Sequence, residues 1–247
     1  MLQPVVYTFN DISIPPTFLA DPPLTAITTK HIDFASSPLP KNAGRIALVL
    51  ENVLSKEECQ ELLRLAEASV PVGNGESPWR PALVSAGPGL EGPAPGYRES
   101  DRIIWDQQQV VDLLWARCSQ AEGLKELLAT VPGGPRCGKG HWQFRRFNNR
   151  MRFLKYSPGQ FFKPHVDGPY WYENEQGTFE TQYTVHLYLN DSVEADPNST
   201  LVGGATSFLS WDREKRLDVN PRAGSVLIFQ HSVGSGDIRV LALKVDP

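Results

Sequence analysis

The sequence predicts a mostly β fold with flanking helices, and three observations carry that expectation. From Phe144 onward the chain breaks into short apolar or alternating runs (RMRFLKY, QFFKPHVD, QYTVHLYLN, GATSFLS, GSVLIFQH and DIRVLALKV) separated by turn-forming phrases such as SPG, NDS and NPRAG. Several short strands at such spacing are the pattern of an antiparallel sandwich or barrel, a jelly roll among the options. The 21 prolines and 20 glycines favour short strands and ordered loops over a helical bundle. The 247 residues, 40% hydrophobic and 21% charged, suffice for one large core; a chain of this length buries roughly 70% or more of its unfolded surface.

Taken in order, residues 1–44 are extended and proline-rich (IPPTFLADPPL, SSPLPKN) and are expected to form a leader wrapped over the core, with a disordered tail as the rival reading. One domain is expected over 45–247, with helical support over 45–135 and a β core over 144–247. RIALVL, residues 45–50, has the length of a strand. Ser55 followed by Glu58 is a capping box, and it opens a helix whose Leu62, Leu63, Leu65 and Ala66 form the buried stripe. Residues 71–100 are dense in Gly and Pro and are expected to form a loop, long enough to be functional or disordered. Val110, Val111, Leu114, Trp115, Leu124, Leu127 and Leu128 recur at helical period and predict a helix over 106–130, closed by Gly133, Gly134 and Pro135.

Composition narrows the function. With 24 basic against 28 acidic residues the net charge is −4, which argues against a general nucleic-acid binder. Three widely spaced cysteines (Cys59, Cys118, Cys137) form neither a disulfide framework nor a CxxC zinc pattern and read as reduced thiols. The N-terminus lacks a basic region followed by an apolar run, and no stretch of 18 apolar residues occurs, so neither a secretory signal nor a transmembrane helix is expected. The expectation is a cytoplasmic or nuclear protein that engages neither nucleic acid nor membrane. Nothing in the sequence sets the oligomeric state.

The sharpest feature is His165-Val166-Asp167 at the end of QFFKPHVD. In a strand, residues two apart share a face, so this imidazole and carboxylate aim at one point. His231 ends another apolar run, GSVLIFQ. Two histidines and a carboxylate on one face of a metal form the facial triad of non-haem Fe(II) oxygenases, with the other face open to co-substrate and oxygen. His186, inside TVHLYLN, reads as structural, and His31 and His141 as solvated.

RFLKYSPGQFFKPHVDG, TVHLYLND, GGATSF and NPRAGSVLIFQH, in that order, resemble the catalytic core of the prolyl 4-hydroxylase-like 2-oxoglutarate/Fe(II) dioxygenases. ENVLSKEECQELLRLAE resembles the helix preceding that core, and WRPALV with GYRESDRIIWD resembles the corresponding segment of fungal-type members. The resemblance runs from about residue 45 to the C-terminus. It implies a double-stranded β-helix (jelly roll) core. It also implies Fe(II) as metal and 2-oxoglutarate as co-substrate, with ascorbate as a further candidate cofactor. The implied reaction oxidises an unactivated C–H bond of a peptide or small molecule while 2-oxoglutarate is converted to succinate and CO2. Carried over residue by residue, His165 and Asp167 are the first two iron ligands, Tyr156 contacts 2-oxoglutarate, Thr184 faces the cofactor, and Gly204 and Thr206 shape the mouth of the site.

At the C-terminus the pattern changes. The family's distal histidine stands about ten residues before a basic residue that clamps 2-oxoglutarate; ten residues before Lys244 stands Gly234. Two readings stay open. Either His231 is the third ligand with Lys244 or Arg239 as clamp, or the third ligand is missing and the chain is a catalytically impaired binding protein on the same scaffold. Arg102, Arg152, Tyr170 and Trp171 are the substrate-binding candidates. Trp79, Arg98 and Asp101 flank the long Gly/Pro loop as candidate lid residues, with an Asp101–Arg102 surface pair as the plainer interpretation.

Overall fold

A computed structural model describes residues 3–87, 89–134, 138–231, 239–242 and 245–246. Cys137, Gly234 and Lys244 lie outside the described residues. The architecture is mostly β, as the double-stranded β-helix requires, and its centre is an antiparallel four-stranded sheet. The strand order in that sheet is Tyr183–Leu187, Val226–Gln230, Ala47–Glu51, Thr28–His31. A three-stranded antiparallel sheet, in the order Arg216–Val219, Thr206–Leu209, Arg239–Ala242, faces it.

The two middle strands of the larger sheet are covered on both faces, which is why their sequences read as unbroken apolar runs rather than alternating ones. Ala47, Leu227 and Phe229 face the smaller sheet, where Phe208 meets Phe229 edge-on at 5.4 Å between centroids. Leu48, Leu50, Val226 and Ile228 face the other way, onto the helices. Each such side chain contributes roughly 1.5–3 kcal/mol by leaving water. The leader belongs to this packing: Thr28–His31 is the outer strand of the sheet, and Phe18, Leu19, Phe34 and Leu39 are buried.

The helix α1, Lys56–Ala68, starts at Ser55, whose hydroxyl accepts from the Glu58 amide (3.1 Å) while the Glu58 carboxylate accepts from the Ser55 amide (2.8 Å). Cys59, Leu62, Leu65 and Ala66 form its buried side. Glu58 has a second task. Arg117, buried at the end of the helix α2 (Gln108–Cys118), donates to it at 2.7 Å and to the Val53 carbonyl at 3.1 Å, and also donates to the Asp21 carbonyl. One guanidinium thus joins both helices to the leader.

Two expectations are corrected. The helix expected over 106–130 is two helices, α2 and α3 (Leu124–Leu128), because Gly123 takes a left-handed conformation (φ 72°) between them. The loop expected over 71–100 contains short strands, among them Val84–Gly87, Leu90–Gly92 and Arg98–Glu99. Cys59 and Cys118 are buried free thiols, and burial pushes both up to about 12. Among the described residues no helix is long and apolar enough to cross a membrane.

The strand Val226–Gln230 is entered through Gly224, at φ 77°. Its carbonyl accepts from the Val53 and Leu54 amides at 3.1 Å, and its amide donates to the Tyr188 carbonyl at 2.9 Å. A Cβ there would stand 1.8 Å from the Leu54 carbonyl oxygen. Gly224→Ala is therefore expected to destabilise the chain by about 3 kcal/mol or more, read as a fall in thermal midpoint. Arg117→Met, which strands Glu58 half-buried, should cost about 3 kcal/mol by the same measurement, and an unchanged midpoint would refute the tie between helices.

Candidate iron and co-substrate site

Two adjacent strands and one loop build the site. Tyr183–Leu187 pairs with Val226–Gln230 so that Thr184 lies opposite Phe229 and Tyr183 opposite Gln230. His231 is the next residue, held by its amide on the Gln182 carbonyl (2.9 Å) and buried at 8% exposure. The third contribution departs from expectation: the strand carrying QFFKPHVD ends at Phe162, so His165 and Asp167 sit in the loop after it rather than on a strand face. They still converge, with His165 Nε2 3.3 Å from Asp167 Oδ1.

Thr184 links the two halves. Its hydroxyl donates to Asp167 Oδ2 (2.7 Å) and stands 3.0 Å from His231 Nε2. Each ring is held at its other nitrogen by a backbone carbonyl: His165 Nδ1 by Lys163 (2.9 Å) and His231 Nδ1 by Thr181 (3.0 Å). A carbonyl only accepts, so in the neutral rings both Nδ1 atoms carry the proton and both Nε2 atoms present a lone pair. The His165 lone pair then faces a carboxylate oxygen, and the His231 lone pair faces a hydroxyl whose single proton is already given to Asp167. Such facing lone pairs repel unless a proton or a metal cation stands among them.

The charges suit that cation. Burial acts to raise the Asp167 carboxyl, but a protonated His165 ring, by hydrogen bond and charge, together with the Thr184 hydroxyl, overcomes it and holds the carboxyl at about 2. Burial holds His231 below the ordinary histidine range, against the opposing pull of Asp167, which keeps its Nε2 free at neutral pH. Phe162 stacks on the His165 ring (3.7 Å, 20°) and fixes its plane. The donor set, two imidazoles and one carboxylate with preset tautomers, fits ferrous iron. As the side chains stand, no three His, Cys, Asp or Glu among the described residues are grouped closely enough to close on an ion.

These residues open onto a cavity of about 2100 Å³, whose wall includes Arg98, Arg152, Tyr156 and Tyr170. Among the described residues the buried Tyr156 hydroxyl has no partner in hydrogen-bonding geometry. The nearby Ser100 hydroxyl is 3.4 Å from Arg98 Nε, and burial pushes the Tyr156 phenol up. An orphaned buried hydroxyl on the cavity wall suits a polar ligand such as 2-oxoglutarate.

The other expected site residues separate. Arg102 is not on the cavity wall: it is buried and donates to Glu91 (2.5 Å), to the Tyr7 hydroxyl (2.6 Å) and to the Leu83 carbonyl (3.1 Å), so the surface pair with Asp101 gives way to a structural one with Glu91. Trp171, 44% exposed, begins the hairpin Trp171–Asn174/Gly177–Glu180 and lies off that wall. Arg239 opens the outer strand of the smaller sheet, opposite Leu209. Gly204 takes a left-handed turn (φ 75°), and the buried Thr206 hydroxyl accepts from Tyr188 (2.7 Å). His186 stacks on Tyr188 at 4.6 Å, a packing role. Phe162 was missed by sequence reasoning, since nothing in QFFKPHVD distinguishes a ring that stacks on the histidine from one in the core.

Residues 151–235 match the family model described as the 2OG-Fe(II) oxygenase superfamily. The matched segment contains Tyr156, His165, Asp167, Thr184 and His231, and it ends before Arg239 and Lys244. Among solved structures this chain is similar to a prolyl-4-hydroxylase of Pseudomonas putida, at 16% identity over 86% of this chain and 89% of that one, with a TM-score of 0.43. No curated protein matches it.

The Thr184–Asp167 bond is open to direct measurement. Thr184→Val keeps the side-chain shape and removes the proton donor, so the Asp167 carboxyl is expected to titrate higher than in the unaltered chain. Carboxyl-carbon NMR across acid pH reads this, and an unshifted titration would show that the bond is not formed.

Proposed function

We propose that this chain is an Fe(II)- and 2-oxoglutarate-dependent dioxygenase whose iron is held by His165, Asp167 and His231. It would oxidise an unactivated C–H bond of a small molecule or peptide, with succinate and CO2 as co-products. The observation that carries the reading is the pair of Nε2 lone pairs, each preset by a backbone carbonyl, converging with a depressed carboxylate. The alternative, a binding protein without the third ligand, loses ground because the His231 ring is turned inward onto Thr184.

Bound iron with 2-oxoglutarate would supply oxygen activation; the protein supplies position, charge and dryness. Asp167 offsets one of the two positive charges of the metal. The carbonyls of Lys163 and Thr181 keep both rings in the coordinating tautomer. Phe162 shields one face of His165 from water. Tyr156 offers its unsatisfied hydroxyl to the co-substrate. The aromatic hairpin, with Tyr170 on the cavity wall and Tyr172 stacked on Phe179 (5.0 Å), would rim the substrate entrance.

The test is anaerobic loading with Fe(II), followed by iron analysis and 2-oxoglutarate-dependent succinate release. About one iron per chain is expected, falling to near none in His165→Ala. In His231→Ala the affinity should drop at least about tenfold; unchanged affinity would assign the third position elsewhere. Iron retention should also fall with acidification through the histidine range, because imidazole must be neutral to coordinate. Asp167, ionised down to about pH 2, does not contribute to that loss. Iron retained unchanged from pH 7 to pH 5 would count against imidazole ligation.

A further inference from the structure

Arg98, Arg102 and Arg152 form a cluster of like charge close to the iron ligands. The strand Arg150–Lys155 pairs with Asp101–Asp106, setting Arg152 opposite Ile104 and Leu154 opposite Arg102. The short strand Phe161–Phe162 pairs with Arg98–Glu99, setting Arg98 opposite Phe162. The Arg98 guanidinium lies over the Phe162 ring at 4.5 Å, and the same ring stacks on His165. An aromatic ring has two faces. With His165 at 3.7 Å on one, Arg98 takes the other, one ring's thickness from the iron ligand.

The cluster is unbalanced. Glu91 is the carboxylate that serves it, and Arg102 and the Tyr7 hydroxyl take that carboxylate at 2.5 and 2.7 Å. Arg150, further along the strand, is neutralised by a two-pronged pair with Asp106 (2.8 and 2.5 Å). Besides the Phe162 ring, Arg98 reaches among the described residues only the Ser100 hydroxyl, at 3.4 Å. Arg152 makes no hydrogen bond or ion pair with any described residue. Its side chain is exposed on the wall of the cavity. Burial first, and then the neighbouring arginines, push both Arg98 and Arg152 below the ordinary guanidinium range. Two guanidiniums on one wall, with the nearby carboxylate already engaged, repel each other and leave donors facing the cavity that an anion can take up.

We propose that Arg98 and Arg152 form a carboxylate-binding subsite of the oxygenase cavity, reached from His165 across the Phe162 ring. Guanidinium forks match a planar carboxylate, and two forks on one wall can hold it from two sides. The carboxylate belongs either to the distal end of 2-oxoglutarate or to the substrate. In the second case the substrate is itself an acid. The subsite deepens the oxygenase reading, since that reading identifies the two sources, but its binding chemistry is measurable without iron.

The probe is glutarate, which carries two carboxylates and lacks the keto group that would chelate a metal. It is titrated against the full chain in chelator, with thermal midpoint and intrinsic tryptophan fluorescence as readouts. Wild type is expected to bind it, and Arg98→Gln and Arg152→Gln each to weaken it about tenfold or more. Without glutarate, Arg152→Gln should melt no lower than wild type, because it removes repulsion; a merely structural arginine would lower the midpoint. Should Arg98→Gln fail to fold, Arg98→Lys, which keeps the charge and loses the fork, replaces it, and weaker glutarate binding is again expected. Equal glutarate binding by wild type and Arg152→Gln, or none by wild type, overturns the proposal.

A second arm finds the source. With Fe(II) under anaerobic conditions, weaker 2-oxoglutarate binding in the variants assigns the subsite to the co-substrate. Unchanged 2-oxoglutarate binding beside lost glutarate binding assigns it to an acidic substrate. Failure of the oxygenase reading would show separately, as absence of stoichiometric iron in the wild type.

Discussion

The strand Val226–Gln230 is covered on both faces, so its residues can be neither shifted nor turned without driving an apolar set into the wrong layer. A slip of one residue would exchange the side chains facing the helices for those facing the smaller sheet. This constraint fixes the pairing with Tyr183–Leu187, and that pairing brings Thr184 and His231 to one place. Asp167 joins them through the same hydroxyl. The polar centre is therefore positioned by hydrophobic packing at its back, while its own hydrogen bonds set ring orientation and tautomer.

The division of labour between the sheets follows from the same pattern. The larger sheet supplies rigidity, with Phe208 and Phe229 wedged between layers and α1 closing the far side. The loop carrying His165 and Asp167 is anchored by a short strand pair to Arg98–Glu99 and by the stack on Phe162. A site built half on a buried strand and half on a braced loop can keep its geometry on one side while its mouth accommodates ligands.

Much of this was legible in the sequence where the signal is local. The capping box at Ser55 and Glu58, the apolar runs at 45–50 and 225–230, and the HVD motif all depend on neighbours within a few residues. What escaped depends on partners far along the chain. Nothing near Arg117 announces that it reaches Glu58 and the Asp21 carbonyl, and nothing near Arg102 announces Glu91 and Tyr7. The break at Gly123 was hidden because apolar spacing on either side stays in phase with one helix. The short strands of 80–99 were hidden because Gly and Pro dominate their composition, and long-range pairing rather than propensity forms them. The resemblance to the dioxygenases supplied the meaning of HVD; spacing alone would have left it a histidine near an aspartate.

The place of Thr28–His31 at the rim of the larger sheet has a practical side. Its backbone covers the free ladder of Ala47–Glu51, while Phe34 and Leu39 plug the seam beside Phe208. Trimming the chain back to the start of its family resemblance would bare a row of amides and carbonyls flanked by greasy side chains, a template for intermolecular strand pairing. Residues 28–39, unremarkable as text, shield that edge within the fold.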